Sequence, residues 1–351
     1  MNRWKIKYNR IKVISILAIF FVIIGGTNSI KAVDDFQKYW PSQQNAKIKF
    51  IRSVSHAQQF KQKESFWGKF VNFIFGKKDA EVRLQRPWGV SAINDQLFIA
   101  DPATQTVYKV DFKEDNMQKF LYASDGEFFS EGEEYFTSPI DVVADDNKIF
   151  VSDAAQQSIL VFSKEGELIK QLGTDKLKRP TGLAVSNKKD WLYVVDTIKN
   201  KVYVYNTNDY ELVKEFGERG GEDGELNYPV DVFVRNNKLY ISDSMNFRIE
   251  IFDLDGNFIT KFGHLGDGSG DFARPKGVAV DSDGHIYVVD ALFGAVQIFN
   301  EKGQLLMTLG REGTNLGEFW LPTGIYIDEQ DKIYVADSYN KRVQIFKYLG
   351  K

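Results

Sequence analysis

The stretch LPTGIYIDEQDKIYVADSYNKRVQIF, Leu321–Phe346, decides the fold because its pattern recurs along most of the chain. Pro322 opens the pattern, and Asp337 closes its second apolar run. The runs are short, rich in β-branched and aromatic residues, and separated by Gly, Asp and Asn, which is typical of short β-strands joined by tight turns. The stretch therefore predicts three strands, here called A, B and C, and raises the question of where a fourth strand comes from.

The same proline and aspartate occur six times, 14 to 16 residues apart, and the prolines recur every 41 to 52 residues. The prolines are Pro87, Pro139, Pro180, Pro229, Pro275 and Pro322, and the aspartates are Asp101, Asp153, Asp196, Asp243, Asp290 and Asp337. Six copies of about four strands predict an all-β, six-bladed β-propeller, whose radial packing covers both faces of every blade. A solenoid is the alternative, but it would need polar capping repeats, and none is visible in the sequence.

The last copy is one strand short. Copy five has a fourth strand, D, in LLMTLG, whereas only KYLGK follows Phe346. The segment Lys47–Ser55, KIKFIRSVS, alternates apolar and polar residues ahead of copy one. We expect it to supply strand D of blade six, because an open edge would be exposed to unwanted pairing. The propeller would then cover residues 47–351, with the repeats in 81–351.

Copy six, in LGEFWLPTGIYIDEQDKIYVADSYNKRVQIF, and copy four, in GELNYPVDV and DSMNFRIEIF, resemble the NHL-repeat family. Copies one to three lack the Asn and Arg that follow the aspartate. The resemblance covers about residues 47–351 and implies a six-bladed propeller. Members of the family include RNA-binding proteins, protein-binding proteins and lyases, so the resemblance leaves the function open.

The first 32 residues predict an export signal. MNRWKIKYNRIK is basic, Val13–Ile24 is apolar, and small and polar residues follow down to Ala32. Twelve helical residues span roughly 18 Å, less than the roughly 30 Å hydrocarbon core. A signal cleaved after Ala32 therefore fits better than a retained anchor, and both interpretations stay open. Residues 33–46 are expected to form a linker.

Charge and cysteine content narrow the function classes. Residues 1–32 carry six basic residues and no acid, and the remaining 39 basic and 48 acidic side chains give a net charge of −9. This balance argues against a nucleic-acid partner, which needs a basic face. The chain has no cysteine, so it has no disulfide framework and no thiol nucleophile.

The aspartate that ends each strand B is expected to hold the following turn through hydrogen bonds to backbone N–H groups. Six such residues around one ring indicate a structural role. In copies four and six, Asn246, Arg248, Asn340 and Arg342 are expected to do similar work between blades.

Charged residues beside the prolines alternate around the ring. Copies one, three and five carry Arg86, Arg179 and Arg274 before the proline, while copies two and four carry Asp141 and Asp231 two residues after it. These residues can form ion pairs between blades, which would contribute only about 0 to 1 kcal/mol each if exposed. Alternatively, they form a charged ring at the channel mouth that orients a polar ligand.

A mostly apolar arc is predicted on the face where the D–A and B–C loops meet. Its members are Trp88, Ile198, Met245, Phe247, Leu292, Phe293, Trp320 and Tyr339. An exposed patch of this kind usually marks an interaction site for a protein or small ligand. The alternative is that these side chains bury one another beneath the loops.

Metal and catalytic patterns are weak. The loop around Asp267, Ser269 and Asp271 begins like a calcium-binding EF-hand loop but has Val278 at the last ligand position. His56, His264 and His285 are not spaced to converge on a zinc ion. No catalytic residue, metal site or cofactor is therefore assigned. A metal-dependent hydrolase or lyase using Asp141 and Asp231 is the alternative function.

Residues 65–76 interrupt the repeat with SFWGKFVNFIFG, which predicts a short amphipathic helix ended by Gly76. The helix can dock against the propeller, lie in a membrane interface or enter a partner's groove. Taken together, the sequence predicts a monomeric binding scaffold in the cell envelope, periplasmic or extracellular, with a protein or small ligand at its loop face.

Overall fold

The computed structural model describes residues 38–60, 82–120 and 136–350. The predicted export signal and the predicted helix at 65–76 lie outside these residues. The chain divides into two compact units, Met1–Asp35 and Phe36–Lys351, and the fold described here is that of the second unit. Within the described ranges, no helix has the length and hydropathy needed to cross a membrane.

Six antiparallel sheets form the described part of the chain, and five of them contain four strands. Strands β1 and β2 are Tyr39–Trp40 and Ile48–Val54. Blade one contains β3 (Val90–Ile93), β4 (Gln96–Asp101), β5 (Thr106–Asp111) and β6 (Asn116–Lys119). Blade two contains β7 (Pro139–Ala144), β8 (Lys148–Asp153), β9 (Ser158–Ser163) and β10 (Leu168–Leu172). Blade three contains β11 (Pro180–Ser186), β12 (Trp191–Asp196), β13 (Lys201–Asn206) and β14 (Leu212–Phe216).

Blades four, five and six follow the same order of strands A to D. Blades four and five contain β15 (Pro229–Arg235), β16 (Lys238–Asp243), β17 (Arg248–Asp253) and β18 (Phe258–Phe262), then β19 (Pro275–Val280), β20 (Ile286–Asp290), β21 (Ala295–Phe299) and β22 (Leu305–Leu309). Blade six begins with β23 (Ile325–Ile327), β24 (Lys332–Asp337) and β25 (Arg342–Tyr348). The all-β six-bladed propeller predicted from the repeat is confirmed.

The N-terminal segment closes the ring. Strand β2 pairs antiparallel with β25, and its register joins Ile48 to Tyr348 and Val54 to Val343. Ile48 and Val54 are fully buried, so the alternating pattern turns its apolar side to the core. The predicted closing strand is therefore present, and blade six is built from both ends of the described chain.

One further strand lies where the sequence indicates a linker. Strand β1 pairs with the outer edge of β2 and makes blade six five-stranded. Trp40 is buried, and its ring lies edge-on to Phe346 at 5.4 Å between centroids. Residues 39–45 are thus part of the propeller, which corrects the assignment of 33–46 as a linker. A strand of two residues is too short to produce a visible period in the sequence.

Each blade places one large aromatic ring in its core, three residues before the aspartate that ends strand B. All six are at most 2% exposed, and they are Phe98, Phe150, Tyr193, Tyr240, Tyr287 and Tyr334. Buried tyrosine hydroxyls need a partner, and those of Tyr287 and Tyr334 donate to the Oδ2 atoms of Asp281 and Asp328, both at 3.0 Å. The rings fill the space between neighbouring blades.

The D–A connections and the B–C turns share one face of the propeller, here called the loop face. The backbone N–H of Met245 donates to the carbonyl of Asn227, and that of Tyr339 donates to the carbonyl of Trp320. Each bond joins a B–C turn to the D–A connection that enters the same blade. In these blades the two kinds of loop are therefore hydrogen-bonded to each other.

Candidate functional site: the loop face and the central channel

The buried strand-B aspartates organise the loop face. In blade five, Asp290 is fully buried, and its Oδ1 accepts the backbone N–H of Leu292 at 3.1 Å in the B–C turn. Its carboxylate also accepts the N–H groups of Ala273 and Arg274 in the D–A connection, at 2.7 and 3.0 Å. The predicted turn-holding role is confirmed. The link to the second loop was not predicted, because it depends on residues about 16 positions away.

The connections into blades four, five and six, residues 217–228, 263–274 and 310–321, are here called the long connections. Each folds back on itself through a parallel bridge, as in Leu265 with Phe272. Each buries one apolar residue completely under the loop, at Leu226, Phe272 and Phe319. The long connections are therefore anchored loops with small cores of their own.

Buried polar side chains of strand C clamp the long connections. Arg248 of blade four donates to the carbonyls of Gly221, Glu222 and Glu225 at 2.6 to 2.8 Å, and its Nε lies 3.1 Å from Asp243. In blade five, Gln297 accepts the N–H of Gly270 at 3.1 Å and donates to the carbonyl of Asp271 at 2.7 Å. In blade six, Arg342 donates to the carbonyls of Asn315 and Glu318. Gln344 accepts the N–H of Gly317 and donates to the carbonyl of Glu318. Arg248 and Arg342 were predicted to act between blades, but each holds the connection that enters its own blade. The glutamines were missed.

The tips of these loops and turns carry exposed apolar side chains. Ile198, Met245 and Leu292 are 52%, 52% and 54% exposed, and Trp320 and Tyr339 are 44% and 41% exposed. Leu265 and Tyr228, which the sequence did not single out, are 62% and 45% exposed. These seven residues are here called the apolar arc. Because these side chains are exposed, the alternative that they bury one another beneath the loops is wrong for them.

Three residues predicted for the arc have other surroundings. Phe247 is partly buried and packs against the hydrophobic core, and its φ of 54° turns the chain at this point. Phe293 is also partly buried. Trp88 lines the central channel, and its carbonyl accepts the N–H of Gly324 at 2.9 Å. We therefore place Phe247, Phe293 and Trp88 beneath or beside the apolar arc.

An arginine extends the aromatic end of the arc. The guanidinium of Arg86 lies 4.8 Å from the ring centre of Tyr339, and its Nη2 donates to the Tyr339 hydroxyl at 2.7 Å. The Tyr339 ring lies 5.5 Å from that of Trp320. Arg86 is not among the residues that line the channel, which differs from its expected place at the channel mouth. It joins blade one to the loop face of blade six.

A cavity of about 880 Å³ runs along the central channel between the A strands of all six blades. Arg179, Arg274 and Lys276 line it near the loop face. Burial lowers the pKa of Lys276 to about 8, and the positive charges of Arg274 and Arg179 add to this effect. Two of the three predicted arginines therefore lie at the channel mouth, together with a lysine that the sequence did not indicate.

Asp141 and Asp231 also line the channel, but they bind backbone groups and form no ion pair among the described residues. Asp141 accepts the N–H of Val142 and, in the next blade, that of Leu183, both at 2.9 Å. Asp231 accepts the N–H groups of Val232 and Val278 in the same way. The expected ion pairs between blades are thus replaced by carboxylate-to-backbone bonds between blades.

Burial raises the pKa of Asp141 to about 7. The pKa of Asp231 is raised well above its ordinary value, first by burial and then by the charge of Asp141. Gly89 and Gly182 allow neighbouring A strands to approach closely, since a Cβ would lie 2.5 Å from the Cα of Asp141 or of Asp231, respectively. The sequence alternation of Pro-x-Gly and Pro-x-Asp therefore reflects packing between neighbouring A strands.

Metal-binding groups do not gather in the described part of the chain. No three His, Asp or Glu side chains come close enough there to hold an ion. His264 contacts Asp271 at 2.8 Å and His285 contacts Asp281 at 2.9 Å, each at a separate loop or turn. Asp141 and Asp231 supply two carboxylates, and each of their oxygens already accepts an N–H group.

The ring of blades, its anchored loops and its axial channel define a six-bladed β-propeller. The chain matches two family models, the DUF5128 family, described as a 6-bladed beta-propeller, over residues 130–217 and 221–296, and the NHL repeat over residues 319–346. The chain is thus a six-bladed β-propeller whose last blade matches the NHL repeat.

Two curated relatives share part of this sequence. The chain is 30% identical to Protein brain tumor of Drosophila melanogaster over 138 residues, 38% of this chain and 12% of that protein. It is 33% identical to the E3 ubiquitin-protein ligase NHLRC1 of Homo sapiens over 107 residues, 30% of this chain and 25% of that protein. The chain thus spans a quarter or less of the length of these relatives.

Solved structures share the fold at low sequence identity. A structural genomics protein of unknown function from Bacteroides thetaiotaomicron has a TM-score of 0.61 at 16% identity, covering 84% of this chain and 76% of that one. Virginiamycin B lyase from Staphylococcus aureus has a TM-score of 0.52 at 13% identity, covering 75% of this chain and 95% of that one. These similarities concern the fold alone.

Proposed function

We propose that this protein is an exported scaffold that binds a protein partner across the apolar arc of blades three to six. The observation that carries this proposal is the exposure of seven large apolar side chains on one loop face. Monomeric proteins rarely expose large contiguous apolar patches unless the patches bind something. NHL propellers are also a class in which protein binding is common, which supports a protein partner.

The composition of the arc fits an interface. Trp320, Tyr339 and Arg86 form a connected stack, and Trp, Tyr and Arg are the residue types most enriched among energetically dominant interface residues. The loops that carry the arc are held by buried polar side chains. Their fixed conformation reduces the entropy that a partner would otherwise have to offset on binding.

Export is supported by residues 1–32, with their basic start, apolar run and lack of acids. We expect an epitope-tagged full-length chain to fractionate with the cell envelope or the medium. One truncated product would correspond to cleavage near Ala32, and one full-length membrane product to a retained anchor. Recovery of the tag in the cytosol alone would contradict export.

Paired substitutions within blade four test the binding surface. Met245 and Ile259 are 52% and 47% exposed, but Met245 lies on the loop face and Ile259 on the outer strand β18. We expect Met245→Asp combined with Tyr339→Asp to abolish co-purification of the partner from native envelope fractions. Ile259→Asp should leave co-purification unchanged, and all variants should keep the wild-type thermal midpoint. Equal capture by all variants would contradict the proposal.

The alternative function, a metal-dependent hydrolase or lyase, requires a metal at Asp141 and Asp231. We favour the scaffold because the oxygens of these two carboxylates accept four backbone N–H bonds between them. Elemental analysis of the purified protein separates the two functions. A stoichiometric metal that is lost in Asp141→Asn would favour the enzyme.

A further inference from the structure

Three cations meet at the loop-face mouth of the channel. Arg179 precedes strand A of blade three, and Arg274 and Lys276 flank Pro275 at the start of strand A in blade five. All three line the same cavity, although they come from two non-adjacent blades. The charges of Arg274 and Arg179 both act on the Lys276 ammonium. The cluster therefore spans part of the channel mouth.

No carboxylate of the described residues contacts this cluster. In residues 38–60, 82–120 and 136–350, none of its three members forms an ion pair. The carboxylate of Asp290 acts on Lys276 from a distance, but it is already occupied by the backbone N–H groups of both loops. Like charges held together without a partner destabilise a fold, and such arrangements are concentrated at functional sites.

Several other cations of the propeller have carboxylate partners. Arg235, at the opposite end of the channel, contacts Glu329 at 3.2 Å. Lys189 contacts Asp255 at 3.1 Å. Carboxylates thus neutralise cations elsewhere in the propeller, in contrast to the three cations at the channel mouth.

The channel wall beyond the cations mixes polar and apolar side chains, and the apolar ones come from the A strands of several blades. Val142, Leu183, Val232 and Ile325 line it. The two carboxylates in this wall carry less negative charge than usual near neutral pH, because burial raises the pKa of Asp141 to about 7 and that of Asp231 well above its ordinary value. A cavity of about 880 Å³ lies in the range of sites that enclose small organic ligands.

We propose that the channel binds a small organic acid whose acidic group is held by Arg179, Arg274 and Lys276 and whose apolar body lies between the A strands. Arginine and lysine bind oxyanions through charge-assisted hydrogen bonds. The apolar walls contribute affinity by removing the ligand body from water. This site adjoins the apolar arc, because Tyr228 and Met245 also line the cavity, and it goes beyond the proposed binding of a protein partner.

Decanoate is a suitable probe, because it combines a carboxylate with an apolar chain. We expect isothermal titration calorimetry with the purified full chain to show saturable binding of one equivalent, weakened by added salt. The fluorescence of Trp88, which lines the same mouth, should change with the same affinity. Acetate should bind more weakly, and decyltrimethylammonium should not bind at this site. Absence of saturable decanoate binding, or equal binding of the cationic probe, would overturn the proposal.

Two lysines of blade five, Lys276 and Lys302, test whether decanoate binding depends on the positive charge at the channel mouth or is nonspecific adsorption. Lys276→Met should weaken decanoate binding about tenfold or more through loss of a charge-assisted contact. Lys302 is exposed in the C–D turn of the same blade, and Lys302→Met should leave the affinity unchanged. Arg274→Gln provides a second variant, and circular dichroism confirms that each is folded. Equal affinity in Lys276→Met, Arg274→Gln and the wild type would overturn the site.

Discussion

Blades three and four differ at the fifth residue after the strand-B aspartate, and the difference reaches the loop face. In blade four this residue is Arg248, which is buried and holds three carbonyls of the connection 217–228. In blade three it is Lys201, whose Nζ contacts the exposed Glu215 on the neighbouring strand and holds no carbonyl of a connection within the described residues. The connection into blade three, residues 173–179, is correspondingly short.

The comparison shows why the arc lies mainly on one half of the ring. A long connection has many backbone groups to satisfy, and buried Arg or Gln side chains satisfy them. Once it is anchored in this way, the connection can expose an apolar tip without collapsing onto the surface. Blades four to six have these clamps, and they contribute six of the seven residues of the apolar arc.

Replacing Arg248, which clamps the connection 217–228, should have the largest effect on stability. Arg248→Met should lower the free energy of unfolding by about 3 to 5 kcal/mol, because it leaves buried carboxylates uncompensated. Lys201→Met should lower it by less than about 1 kcal/mol, since its ion pair is exposed. Chemical denaturation measures both values. Equal losses at the two positions would break the comparison between the blades.

Adding a methyl group at Gly263, beside the buried Phe272 ring, should have an intermediate effect on stability. Gly263 has a φ of +99°, and an added Cβ would lie 2.4 Å from the Phe272 ring. We expect Gly263→Ala to cost about 2 to 3 kcal/mol through strain and overpacking. Gly221 has no atom within 4 Å of a built Cβ, so Gly221→Ala is the control. Its thermal midpoint should stay near that of the wild type, and a large drop there would contradict this interpretation.

A smaller, pH-dependent effect should distinguish blade four from blades five and six. Glu250 stands where those blades have Gln297 and Gln344, and no hydrogen bond of good geometry reaches its oxygens within the described residues, although Arg248 Nη2 lies 2.6 Å from Oε1. Burial raises the pKa of Glu250 to about 7. The folded state therefore holds the proton more tightly than the unfolded state, and stability falls as the pH rises from about 4.5 through about 7.

Glu250→Gln should remove this loss. We expect the variant to exceed the wild type by about 1 to 2 kcal/mol at pH 8 and to match it near pH 4. The reciprocal Gln344→Glu should introduce the same pH dependence into blade six. Unfolding measured across this pH range provides the test, and a wild type with no loss between pH 5 and pH 8 would contradict the assignment.

The fold was predictable because its signal repeats. Six spaced prolines and aspartates gave the blade number, and the alternation in Lys47–Ser55 gave the closing strand. Strand β1 was not predictable, since two residues carry no period. The glutamines Gln297 and Gln344 were missed because nothing in the sequence distinguishes them from other strand residues. Their role depends on contacts with loops that are distant in sequence.

The candidate site was only partly predictable, because exposure depends on contacts distant in sequence. Ile198, Met245 and Leu292 follow the strand-B aspartate at a fixed spacing, and their exposure agrees with that spacing. Phe247 has a similar local setting but turns into the core. Arg86 was expected in the channel, yet it stacks on Tyr339, a residue 253 positions away.

Site-specific photo-crosslinking in the producing cell tests the central claim most directly. A benzoylphenylalanine placed at Met245, Leu292 or Tyr339 should give one crosslinked product of the same partner mass. The same probe at Ile259 or Leu306, which are 47% and 50% exposed on the outer strands, should give none. Crosslinks of equal yield from the outer strands, or none from the apolar arc, would contradict a partner-binding loop face.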